Sequence, residues 1–264
     1  MAVTTKSNTG SRNTHRRNLI IASLFVVALV VSLCAYLFVT NTVNVVHVKS
    51  ETELVKAIDG VKVSGSSVIV LDKDIDLTAT IIISARKNIT LTSNGDNQFK
   101  LVGADRASTL AIETGSTLIL DGIVVIHAEG TNGCGVGNAG TFIMYSGVIS
   151  GNTVRDNSGG GVSTSGVFEM YGGEIVNNVA RVSGGGVNIN GNGAVFSMFG
   201  GVISGNTVYG GGGWGGGVYR YEWAGTFNWY GGEIYGNAAD NNENIYPITV
   251  HKFKLQPTVA NITS

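Results

Sequence analysis

Glu174 and Glu233 occupy equivalent places in a repeating stretch of this chain, one inside GGEIVNN and the other inside GGEIYGN. Two carboxylates held at a fixed separation are the usual means of acid and base catalysis at a glycosidic bond. In a stack of coils about 4.8 Å apart this pair stands two coils, or about 9.6 Å, apart, near the upper limit for an inverting mechanism. The surrounding pattern argues against that use. Both alternate with the inward Ile175 and Ile234, so both point outward, and Val202 holds the same place in the coil between them. A solvated outer face is expected rather than an acid-lined cleft, and no catalytic residue is assigned.

The other polar clusters lead no further. Asp72, Asp74 and Asp76 alternate on one strand face as calcium ligands would, but Leu77 stands where a calcium loop needs glycine and Lys73 lies among them. Asp240, Asn242 and Asn244 repeat the pattern, again without the glycine. Both are expected to be solvated turns, and no metal or cofactor is assigned. Gly135, Gly137 and Gly140 satisfy G-x-G-x-x-G, but no helix follows to present its terminus to a phosphate. His15, His47, His127 and His251 are too scattered for a zinc site or a hydrolase triad. Cys34 and Cys134 sit in unlike settings, and no disulfide is expected.

Aromatic residues are the stronger lead. Tyr145, Tyr171, Phe199 and Tyr230 recur just before a Ser-Gly or Gly-Gly step, so stacking the repeats builds an aromatic ladder. Facing outward, the ladder is a platform for sugar rings or a stabilising column; facing inward, it is core. Trp214, Trp223 and Trp229 all fall after residue 208, and the longest repeat is extended at Gly210 to Gly213 beside Trp214. Insertions in a solenoid map to one face, often the binding one, although these aromatics equally suit closure of the C-terminal end of the core. Trp214, Trp223, Tyr230, Tyr171 and Tyr145 are the candidate ligand-binding residues.

The repeat itself must position them. Phe142, Phe168, Phe196 and Phe227 open four similar units at spacings of 26, 28 and 31 residues. Ile149, Ile175, Ile203 and Ile234 follow, then Asn152, Asn178, Asn206 and Asn237, with Gly-Gly-Gly-Val clusters between units. Apolar residues alternate with period two, and no spacing of three and four persists, so the units are strands turned at glycines. Coils of this length without helices suit a parallel β-helix, whereas a propeller blade needs about 40 residues. The asparagines are expected to bond from coil to coil.

The GG-x-I-x-x-N units with intervening GGGV resemble the right-handed parallel β-helix repeats of adhesin-like surface proteins, including polymorphic outer-membrane-protein-like chains, and more broadly the pectin-lyase-like superfamily. The resemblance implies an all-β right-handed parallel β-helix, here with only about seven coils, and a non-catalytic role binding glycans or a surface protein. It also leaves two rivals, a carbohydrate-active enzyme and a structural spacer. The lyases of that superfamily would bring grouped aspartates and an arginine base, and Arg155, Asp156, Arg181 and Arg220 do not reproduce that cluster. Nor does the chain carry the C-terminal barrel or sorting motif of such relatives, so a single anchor on a one-membrane envelope is the expected arrangement.

The flanks add a compartment and a cap. Residues 1–18 are basic, and Leu19 to Val39 carries no charge. At about 1.5 Å per residue that stretch crosses a hydrocarbon core of about 30 Å as a transmembrane signal anchor, or serves as a signal peptide. The basic flank keeps residues 1–18 in the cytoplasm and sends the rest to the cell surface. Residues 40–65 read as linker and capping helix. There Ser50 and Glu53 form a capping box ahead of the apolar Leu54, Ala57 and Ile58. Residues 66–246 read as the β-helix and 247–264 as a tail containing Pro247 and Pro257. A net charge of −1 with 13% charged residues gives no reason to expect nucleic acid as a partner.

Overall fold

A computed structural model describes residues 44–96, 98–221, 225–241, 244–246 and 251–252. The expected membrane span, Leu19 to Val39, lies outside the described residues, as do Trp223 and most of the tail. The described chain is an all-β parallel solenoid of the right-handed type. Every paired strand lies parallel to its neighbours in equivalent positions of adjacent coils.

One coil conveys the rest. Thr141–Met144 joins the first sheet, Val148–Ser150 the second, Thr153–Val154 a short fourth sheet and Val162–Thr164 the third. Val167–Met170 then begins the next coil in strict register, with Phe142 opposite Phe168. Among the described residues the first sheet stacks nine strands, and the second and third stack seven each. Seven strands from first to last make about six turns, which corrects the expected seven coils. The first sheet also starts early: Asn44–Val48, within the stretch read as linker, pairs with Ser66–Leu71.

Alternation decides what fills the interior. Inward columns of the first sheet carry Leu118, Phe142, Phe168, Phe196 and Phe227 beside Leu120, Met144, Met170 and Met198, all buried. The four phenylalanine rings lie 4.8, 4.6 and 4.8 Å apart, within 17° of parallel. Offset stacks at this spacing add to the hydrophobic stabilisation of burial itself.

At the turn after the second sheet the core becomes polar, because the backbone there leaves groups that only a side chain can satisfy. Asn152, Asn178, Asn206 and Asn237 are buried in one column. The side-chain oxygens of Asn178, Asn206 and Asn237 each accept from the backbone N–H and Nδ2 of the asparagine one coil earlier, at 2.8 to 3.2 Å. Nδ2 of Asn178, Asn206 and Asn237 also donates to Ile149, Ile175 and Ile203 carbonyls. Other residue types finish the column. Asn244 Oδ1 accepts from Asn237, so this residue is part of the core network and not of the solvated turn expected for it. At the other end His127, buried, places Nδ1 2.8 Å from Asn152 Oδ1 and Nε2 2.9 Å from the Ala107 carbonyl. The Gly-Gly-Gly-Val clusters pack against this column. A Cβ on Gly161 would come within 2.7 Å of the Gly186 carbonyl and 3.0 Å of Asn178 Nδ2.

The helix Glu51–Asp59 buries Leu54 and Ile58 in the first coils. Ser50 Oγ accepts from the Glu53 N–H, and Glu53 reaches back to the Lys49 N–H. Lys87, itself buried, donates to the Ile58 carbonyl near the helix end. Glu51 joins the helix to the following coil, accepting from the Thr78 N–H, the Thr78 hydroxyl and the Ala79 N–H. Desolvation pushes the Glu51 pKa up, but these hydrogen bonds outweigh it and the net shift is downward. A pKa lower in the folded than in the unfolded state stabilises above the ordinary glutamate value, and the contribution is lost as pH falls through the depressed one. Glu51→Gln is therefore expected to cost on the order of 0.5 kcal/mol at neutral pH, and the gap to the parent should close on acidification. Urea midpoints of both proteins across the acid range test this; a gap independent of pH would refute it.

Candidate functional site

The aromatic ladder faces outward. Tyr145 and Tyr171 are 50% and 43% exposed, Phe199 and Tyr230 are half-buried, and the column stands at the corner between the first and second sheets. Successive rings lie 5.2, 4.7 and 4.8 Å apart, the last two pairs nearly parallel. The glycines that follow, Gly147, Gly173, Gly201 and Gly232, turn this corner at φ values of 99°, 81°, 88° and 85°, which favour glycine. Stacking covers both faces of Tyr171 and Phe199, so what those two rings present to solvent is their edges. A sugar packs on a ring face, which makes the middle of the ladder a stabilising column rather than a platform. Partial burial and the neighbouring Glu169 carboxylate push the Tyr171 hydroxyl pKa upward.

The remaining predicted residues disperse. Trp214, half-buried, lies on the segment that leads into the third sheet, where it pairs with Ser183 through a parallel bridge. The candidate set is therefore divided, with Tyr145, Tyr171 and Tyr230 at one corner and Trp214 at another. Glu174 and Glu233 stand exposed on the second sheet, each paired with Val202 of the coil between, as alternation requires. The aspartates take separate protein partners: Asp72 accepts from His47 and Asn94, Asp74 from the Lys100 N–H. Cys134 is a free cysteine.

What the sequence did not reveal is a groove of about 900 Å³ over the outer face of the third sheet. Its floor is the outward column of that sheet, Ala111, Gly137 and Ser163, one residue per coil. Hydroxyl and amide side chains line it, among them Ser108, Asn132, Asn157, Ser158, Ser165 and Asn190, with Arg106, Glu113 and Asp156 also present. One wall is built by the segments entering the third sheet. Ser158 and Ser183 hydroxyls meet there at 2.8 Å, and Trp214 follows Ser183 in the next coil, so Trp214 continues the wall column. On the same side Tyr209 reaches back two coils to donate to the Arg155 carbonyl at 3.1 Å, and Arg155 donates to the Gly130 carbonyl one coil earlier at 2.8 Å. In the sequence its floor residues Ala111, Gly137 and Ser163 lie 26 residues apart, and nothing there joins them.

Comparison with family models, with curated proteins and with solved structures finds no match. A functional reading therefore rests on the geometry of this chain.

Proposed function

We propose that this protein is a non-catalytic recognition module that binds glycans at the cell surface. The observation that carries the reading is the groove over the third sheet, because hydroxyl and amide groups flanking a rigid floor suit a polyhydroxylated chain. Carboxylates at Glu113 and Asp156 disfavour a polyanion such as nucleic acid. The apolar stretch Leu19 to Val39 is the reason to place the module at a membrane with its solenoid outside. The adhesin-like resemblance of the repeats agrees with that placement.

A glycan-array screen of the full-length chain tests the reading. Binding of linear glycans above the level of a scrambled-sequence control is the expected result. A chain that binds no glycan on the array would overturn it.

A further inference from the structure

Two glycines lie inside strands among the described residues, and they are glycine for different reasons. Gly103 has no room for a side chain, since a Cβ there would fall 2.3 Å from Thr109 Oγ1 and 2.5 Å from the His127 ring. Gly137, at the centre of Val136–Asn138, is under no such constraint. Its φ is not in the left-handed range, and a Cβ would meet Ser108 Oγ at 3.6 Å and the Leu110 carbonyl at 3.9 Å, both ordinary contacts. Glycine inside a strand costs about 0.5–1 kcal/mol relative to alanine, and nothing in the packing of this coil requires it.

The column around Gly137 gives the missing side chain a meaning. Read coil by coil across the third sheet, the outward residues are Ile82, Ala111, Gly137, Ser163, Asn188 and Tyr219. Larger residues stand at both ends, Ile82 exposed at one and Tyr219 at the other, while the centre is stripped to a methyl, a hydrogen and a hydroxymethyl group. The result is a trough parallel to the solenoid axis. Its open floor, Ala111 to Ser163, spans two coil steps, about 10 Å at about 4.8 Å per step, and Asn188, next in the column, is buried.

The geometry points to a subsite array in this trough for a linear, neutral glycan lying along the solenoid axis, with its closest approach to the backbone at Gly137. A pyranose unit in an extended chain advances by close to one coil rise. Successive sugars therefore meet equivalent positions of successive coils, and the array holds about three units. Affinity then comes from hydroxyl and amide contacts repeated along the chain, such as those from Asn132 and Asn190 on either side of the floor. Asn190 is already oriented there, its Nδ2 donating to Ser163 Oγ at 3.2 Å. This inference rests on the glycan-binding reading and adds to it the place, the direction and the length of the bound chain.

The test uses the full-length protein, the Gly137→Tyr and Ala111→Trp variants, and Tyr171→Ala from the aromatic ladder. Probes are cello-oligosaccharides and chitooligosaccharides from dimer to octamer, with polygalacturonate as a charged comparison and a neutral unstructured peptide as a non-glycan one. Expected are affinities that rise with length to the trimer and then level off. Each groove variant should lose at least about tenfold, equivalent to about 1.4 kcal/mol, with circular dichroism unchanged, while Tyr171→Ala keeps parental affinity. Ala111→Trp stands in should Gly137→Tyr not fold. If the parent binds array glycans and both folded groove variants bind them equally well, the trough assignment fails and the recognition reading survives. Loss of binding in Tyr171→Ala alone would move the site to the ladder. Preference for polygalacturonate or the peptide would overturn the neutral-glycan assignment. A parent that binds no glycan at all fails both.

Discussion

Asn178→Leu is expected to destabilise the protein by about 3–5 kcal/mol, although the two side chains have nearly the same shape. Asn178 Oδ1 accepts two hydrogen bonds from Asn152, and Nδ2 donates to the Ile149 carbonyl and to Asn206 Oδ1. Leucine removes all four. The Asn152 Nδ2 keeps the Ser150 carbonyl, and Asn206 Oδ1 keeps the Asn178 N–H, but the Asn152 N–H and the Ile149 carbonyl lose the partners they have here. Each buried group left unsatisfied costs about 1–3 kcal/mol, and an exchange to leucine gains little where the site is already dry. In a solenoid each coil contacts only its neighbours, so the loss acts on one interface in the stack. Urea unfolding of the parent and variant measures the total, and hydrogen exchange should show the largest loss of protection at the Asn152 amide. A change below about 1 kcal/mol would mean that the column is not a source of stability.

The asparagine column was legible because one residue type recurs after the same Phe-to-Ile interval in four units. Its two ends were not. His127 and Asn244 do the same work with a different residue type in one case and a different backbone spacing in the other, and a pattern search keyed to Asn152, Asn178, Asn206 and Asn237 passes over both. Strands with a clear apolar centre, such as Ile81–Ile83 and Leu110–Ile112, were also readable. Ile75–Asp76 and Lys100–Gly103 were not, being short and flanked by charge. The direction of Tyr145 and Tyr171 was undecided because they stand at a corner, where a positive-φ glycine resets the alternation. The groove was least legible of all. It exists only where Ala111, Gly137 and Ser163 are brought side by side, and those residues are about a whole coil apart in the chain. Gly137 was visible only as part of an accidental glycine motif, and distinguishing it from Gly103 required knowing what a Cβ would touch.

Phe168→Ala is the second large effect, expected to cost about 3–5 kcal/mol, against about 1 kcal/mol for Tyr171→Ala. The pair is informative because the two rings make nearly the same contacts. Phe168 stacks between Phe142 and Phe196 at 4.8 and 4.6 Å, and Tyr171 between Tyr145 and Phe199 at 5.2 and 4.7 Å. Phe168 is fully buried, whereas Tyr171 is 43% exposed. If stacking were the main term, the two losses would be alike. Burial and the cavity left behind predict a severalfold difference, since the neighbouring coils hold Phe142 and Phe196 in register and cannot collapse onto the space. Urea midpoints of the two variants decide between these accounts. Equal losses would assign the stability of this solenoid to its ring stacks, inside and out, and would make the outer ladder as necessary to the fold as the core.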